Sequence, residues 1–205
     1  SSPNGTAYLV HAIFEKERNM TEINDTLPDV TVADSAGNAV NLAGLQGPFV
    51  LYFYPKADTP GCTNEAKDFT ELASDFAALG CPVYGMSKDK PAKLAKFAAK
   101  YALHVNLLSD EASDATEQMG AWVEKSMYGK LYMGIDRSTY LVGKDGKVAQ
   151  LWRKVKVKDH AAEVLAAAYV AVAGIDAVIV VDPPPTIVTR PVVALMVATA
   201  VLELV

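Results

Sequence analysis

The run PFVLYFYP at 48 to 55 constrains the fold more than any other stretch of the chain. It shows no alternation of polar and apolar residues, the pattern expected of a strand covered on both faces. Such a strand needs helices packed against it, and the residues that follow supply one. Ala66, Phe69, Leu72, Ala73, Phe76 and Leu79 recur at intervals of three and four, mostly, up to Gly80. This spacing predicts an amphipathic helix over 63–79, closed by a glycine, with Cys62 at its first turn. CPVYGMS at 81 to 87 then returns as a strand opened by Cys81. Asp89 reads as the N-cap of a second helix, whose buried stripe is Leu94, Phe97, Ala98 and Tyr101, and VNLL follows as a third strand. A βαβαβ run of this kind implies a parallel core.

The flanks read differently. VTVAD and AVNL around SAGN form one hairpin, and RSTYLVGKDGKVAQLWRKV forms a second around Asp145 and Gly146. WRKVKVK at 152 to 158 alternates charge with valine, as a lysine-guarded edge strand would. DHAAEVLAAAYV closes the domain as a helix. Parallel units followed by an antiparallel hairpin and a helix predict an α/β fold of thioredoxin-like architecture, a mixed central sheet flanked by helices. That domain is expected over 20–173, between an N-terminal extension at 1–19 and an apolar C-terminal extension at 174–205.

A chain of 205 residues, 51% hydrophobic, can bury a core without disulfide staples. Its net charge of −5 argues against a nucleic-acid partner. Two cysteines make no disulfide framework and suit a reducing compartment, with the cytoplasm expected. AYLVHAIF at 7 to 14 contains His11 and runs into EKER, unlike a secretory leader. The apolar run from Pro191 to Leu202 has 12 residues, short of the roughly 20 that span a bilayer. No membrane association is expected.

The chemistry centres on Cys62. Free amides and the positive dipole end at a helix start favour a thiolate, and Thr59, three residues earlier, offers a hydroxyl that both donates and accepts. Pro60 and Gly61 shape the turn between them. Position alone leaves open a half-buried cysteine acting as a small hydrophobe. His11, His104 and His160 are scattered without a nearby acid, no metal-ligand cluster is visible, and neither type of phosphate-binding glycine loop occurs. Neither a metal nor a cofactor is expected.

PKADTPGCTNE resembles the peroxiredoxin signature Pro-x-x-x-Thr-x-x-Cys, with Pro55, Thr59 and Cys62 in register, and its TPGCT form resembles the bacterioferritin comigratory protein, or PrxQ, subfamily. GAWVEKSMYGKLYMGIDRSTYLVGKDGKV is similar to the second block of that subfamily, in which Arg137 starts a strand facing the cysteine. The resemblance runs from about 22 to about 172. It implies a thiol-dependent peroxidase for hydrogen peroxide and alkyl hydroperoxides. Cys62 would attack one peroxide oxygen and become a sulfenic acid. Thr59 would hydrogen-bond the peroxide, Arg137 would stabilise the thiolate and the leaving oxygen, Pro55 would shield the site, and Glu65 would orient Arg137. Trp122 and Tyr128 read as core aromatics, with lining of the entrance as the alternative.

Many members of the subfamily carry a resolving cysteine five residues after the first, where this chain has Lys67. Cys81 is the other cysteine. A helix over 63–79 spans about 25 Å at about 1.5 Å per residue, too far for a disulfide, which needs Cα atoms within about 7 Å. A one-cysteine mechanism recycled by an external thiol (glutathione, glutaredoxin or thioredoxin) is therefore expected, in a monomer or weak dimer. A thioredoxin-type disulfide oxidoreductase would need the second cysteine of a CxxC, and a non-enzymatic redox-responsive binding module would need a large exposed apolar surface.

Overall fold

The computed structural model describes residues 20–173. The expectations for the extensions at 1–19 and 174–205 lie outside the described residues. Among those described, no helix is long and apolar enough to cross a membrane.

The stretch 48–55 yields β3 (Phe49–Phe53), with all five residues buried. It lies inside a seven-stranded sheet ordered β2-β1-β5-β4-β3-β8-β9. The others are β1 (Thr31–Asp34), β2 (Ala39–Asn41), β4 (Val83–Ser87), β5 (Asn106–Ser109), β8 (Ser138–Val142) and β9 (Val148–Trp152). β3 runs parallel to β4 and β4 to β5, while β8 is antiparallel to β3, so the sheet is mixed as expected. Alternation along β3 separates two cores. Val50 and Tyr52 face one side with Tyr54, and Phe49, Leu51 and Phe53 face the other.

The first core is covered by helices α1 (Pro60–Glu71), α2 (Ala73–Ala78), α3 (Pro91–Tyr101) and α5 (His160–Ala173), through Phe69, Phe76, Phe97 and Val164 among others. The second core is covered by the short α4 (Ala115–Gln118) and by the segments carrying Leu27, Leu42 and Ile135. Gly85 of β4 sets the fit on the helix-covered side. A Cβ there would lie 2.5 Å from Cζ of Tyr52, whose ring stacks on Phe69 of α1 at 4.8 Å. The helix that carries Cys62 thus rests on aromatic rings that the absent Cβ makes room for.

Four expectations need correction. The helix starts at Pro60 rather than Thr63 and breaks at Leu72 (φ −94°, ψ 5°), because the backbone there leaves the helical region before α2 resumes. Lys90, not Asp89, is the N-cap of α3, since the Asp89 carboxylate is engaged by Ala57, Ser87 and Lys93. Cys81 lies two residues before β4 instead of opening it. β9 ends at Trp152, and Arg153–Lys158 leaves the sheet, because Lys154 and Val155 turn their amides to Asp136 Oδ2 and the Arg137 carbonyl. The sequence reading also lacked the separate hairpin of β6 (Trp122–Met127) and β7 (Lys130–Ile135), whose turn holds Tyr128 and Gly129 at positive φ.

Candidate active site

Cys62 occupies the first turn of α1, which begins just beyond the carboxyl end of β3. Thr59 is the N-cap residue, with an extended backbone (φ −107°, ψ 154°), and Pro60 takes the first helical position, where a missing N–H costs nothing. The first intrahelical bond runs from Thr63 N–H to the Thr59 carbonyl at 2.8 Å. The amides of Gly61 and Cys62 come before it, where a helix provides no acceptor. The Thr59 hydroxyl donates to the Lys56 carbonyl at 2.8 Å. Its proton is thereby spent, and its lone pairs are what it can offer to an incoming O–H.

Sheet register delivers the second group. Phe53, the last residue of β3, pairs with Ser138, the first of β8. Arg137 therefore emerges beside the start of α1, although 75 residues separate it from Cys62. Its Nη2 donates to Cys62 Sγ at 3.3 Å, and its Nη1 donates to Glu65 Oε2. The guanidinium lies across the helix start, since a Cβ on Gly61 would be 3.5 Å from Nη2. Val155 N–H donates to the Arg137 carbonyl at 2.9 Å and steadies its backbone.

Sγ and guanidinium are withdrawn from solvent. Cys62 is 3% exposed, the Arg137 side chain 15% and Glu65 1%. Burial pushes the Glu65 carboxyl up to about 7, against the pull of Arg137, and Glu65 Oε1 has no hydrogen-bond partner. Burial works against the Arg137 cation, yet Glu65 and Cys62 together hold its proton more tightly than usual. The arrangement is a thiol, a cation donating to it and a buried carboxylate behind the cation, all at a helix start. It can stabilise a thiolate and neutralise charge that grows on an oxygen nearby.

The structure thus brings Cys62, Arg137 and Glu65 together, with Thr59 on the same turn. Pro55 is exposed on the loop that joins β3 to α1. Trp122 is half-buried, with Lys88 Nζ 5.2 Å from its ring centre. Tyr128 is 97% exposed at the hairpin tip, which rules out the core reading for it. His160 does have neighbours: its Nε2 lies 2.8 Å from Thr139 Oγ1 and its Nδ1 3.7 Å from Glu163. Among the described residues no cluster of metal-ligating side chains occurs. Sequence reading did not single out Asp58 and gave Asp89 and Tyr101 other roles, a cap and a core residue, whereas all three tie the Cys62 loop to α3. Their partners lie 32 and 43 residues apart, so no local pattern marks them.

Both cysteines are free and buried. Because β3 and β4 are parallel, with Val50 opposite Val83, Cys81 lies at the amino edge of the sheet and Cys62 at the carboxyl edge. Burial pushes the Cys81 thiol up to about 11.

Residues 23–151 match the family model described as the AhpC/TSA family. The chain is 45% identical over 145 residues to peroxiredoxin Bcp of Bacillus subtilis, an alignment covering 70% of this chain and 92% of that protein. It is 43% identical over 143 residues to peroxiredoxin Bcp of Escherichia coli, covering 69% and 92%. Among solved structures, peroxiredoxin Q of Xanthomonas campestris superposes with a TM-score of 0.66 at 40% identity, covering 72% of this chain and 94% of that one. The fold, the placement of Cys62 beside Arg137 and these matches agree, and the chain belongs to the AhpC/TSA family, among the Bcp/PrxQ peroxiredoxins.

Proposed function

We infer that this thiol-dependent peroxidase acts through Cys62 alone and is recycled by an external thiol. The observation that carries the reading is the 3.3 Å contact between Arg137 Nη2 and Cys62 Sγ at a helix start. The Cys62 thiolate attacks the nearer oxygen of a hydroperoxide, the O–O bond breaks, and water or an alcohol leaves after taking a proton. Thr59 Oγ1 accepts the hydrogen bond of the peroxide O–H and aligns it. The free Cys62 amide and Arg137 stabilise the charge that grows on the departing oxygen. Glu65 holds the guanidinium in that orientation, and Pro55 limits access of water from the loop side. The alkyl peroxide reduction described for the bacterioferritin comigratory protein of Xanthomonas campestris supports alkyl hydroperoxides as substrates here beside hydrogen peroxide.

The Cys62 sulfenic acid condenses with an external thiol, giving a mixed disulfide and water, and a second thiol releases the Cys62 thiol. Glutathione, a glutaredoxin or a thioredoxin would serve, in a reducing compartment such as the cytoplasm. Burial of Cys81 at the opposite sheet edge supports its exclusion from the cycle. Cys62→Ser should abolish peroxide consumption with a thiol reductant, because a neutral hydroxyl is a poor nucleophile toward O–O bonds. Substantial turnover by that variant would overturn the assignment.

A further inference from the structure

The loop between β3 and α1 is tied to α3 by side chains that the steps above do not use. Asp58 holds a left-handed backbone, φ 64°, a region that residues with a Cβ enter uncommonly, Asp more readily than most. Its Oδ1 accepts the Tyr101 hydroxyl at 2.6 Å, and Lys100 Nζ donates to both carboxylate oxygens at 2.9 Å. Tyr101 is the last residue of α3, which Leu94 and Phe97 anchor in the core. Lys67 Nζ, from α1 itself, lies 5.2 Å from the Tyr101 ring centre, and Lys100 Nζ lies 5.1 Å from it. One residue before Asp58, the Ala57 amide donates to Asp89 Oδ2 at 2.7 Å. Loop, Cys62 helix and α3 therefore meet in one cluster.

We propose that Asp58 and Tyr101 are positioning residues whose clasp holds the Thr59 hydroxyl and the first turn of α1 in place, before and after Cys62 is oxidised. The proposal rests on the one-cysteine reading. With no resolving thiol at position 67 to be reached, α1 need not unwind to close an internal disulfide, and the side chain at 67 steadies Tyr101 instead. The clasp then serves peroxide attack and opposes opening of the turn.

Those two effects have opposite signs, which gives the test. In the full chain, Tyr101→Phe and Asp58→Asn are compared with the wild type in two rates. The first is sulfenic acid formation on Cys62 with hydrogen peroxide, trapped with dimedone. The second is measured in a Lys67→Cys background, where the Cys62 sulfenic acid and the new thiol close a disulfide and release water. Five residues of helix rise about 7.5 Å, beyond the about 7 Å that a disulfide bridges, so closure reports unwinding. Each clasp variant should slow the first rate and speed the second by about fivefold, the effect of one hydrogen bond on an equilibrium. Val148→Ala, a cavity in the other core, should move neither rate, which separates the clasp from general destabilisation. Unmoved rates in both clasp variants, or equal changes in Val148→Ala, would overturn the proposal. A wild type that forms no sulfenic acid on Cys62 would instead overturn the peroxidase chemistry beneath it.

Discussion

Glu65 should make the protein less stable as the pH rises from about 4.5 to about 7, and Glu65→Gln should remove that slope. Burial lifts this carboxyl from its ordinary 4.5 to about 7, and Arg137, though in contact, does not offset it. In the unfolded chain the group ionises near its ordinary value. Between the two pH values the native state therefore keeps a proton that the unfolded state has released. The extra stability is fully present below the unfolded value and is lost as the pH climbs through the folded one. At about 1.36 kcal/mol per pH unit of altered proton affinity, the whole window is worth about 3 kcal/mol, a sizeable part of the roughly 5–15 kcal/mol that holds a domain folded. Urea unfolding of the wild type and Glu65→Gln in half-unit steps from about pH 4.5 to about pH 8 measures it. Gln does not titrate and Arg137 stays cationic throughout, so the stability difference between the two proteins isolates this carboxyl. That difference should move against the wild type by about 3 kcal/mol across the window and then level off. A difference flat in pH, or one that moves in favour of the wild type, would mean that Arg137 and not burial governs Glu65.

Three further perturbations address the site and its support. Arg137→Met should retain the fold and slow oxidation of Cys62 by hydrogen peroxide about a hundredfold or more, the usual cost of removing one preorganised donor; rapid-quench mass analysis reads it, and a rate within twofold of wild type would count against the role. Cys81→Ser should leave thiol-dependent peroxide turnover within about twofold, because this cysteine is buried away from the site; a large loss in steady-state assays would bring Cys81 into the cycle. Gly85→Ala should cost about 1–3 kcal/mol by overpacking, since its Cβ would meet the Tyr52 ring at 2.5 Å; an unchanged urea midpoint would show that Tyr52 does not rest there.

Local pattern made the parallel core legible. The unbroken apolar run gave β3, and three- and four-residue spacing gave the helices that cover one side of it. Cys62, Thr59 and Arg137 were legible through motif order, and Glu65 through its place one turn after the cysteine. What remained hidden depends on pairing at long range. The break at Leu72 interrupts a stripe that reads as continuous. Asp89 looks like a cap by residue type, but its carboxylate is taken up by a backbone amide 32 residues away. The β6–β7 hairpin was missed because its strands carry exposed Met127, Leu131, Tyr132 and Met133 where inward–outward alternation would be the signal. Its Tyr128–Gly129 turn also lacks the usual Asn-Gly or Asp-Gly. The left-handed Asp58 could not be anticipated, because the contacts that hold it come from the far end of α3.

The one-cysteine mechanism at Cys62 is tested most directly by treating the reduced full chain with a single equivalent of hydrogen peroxide and mapping its peptides by mass. The Cys62 peptide should gain about 16 Da, one oxygen on sulfur, within seconds, while the Cys81 peptide stays unmodified and the monomer carries no internal disulfide. A Cys62–Cys81 crosslink in the oxidised native monomer, or oxygen on Cys81 with Cys62 untouched, would contradict both the mechanism and the placement of the two cysteines at opposite edges of the sheet.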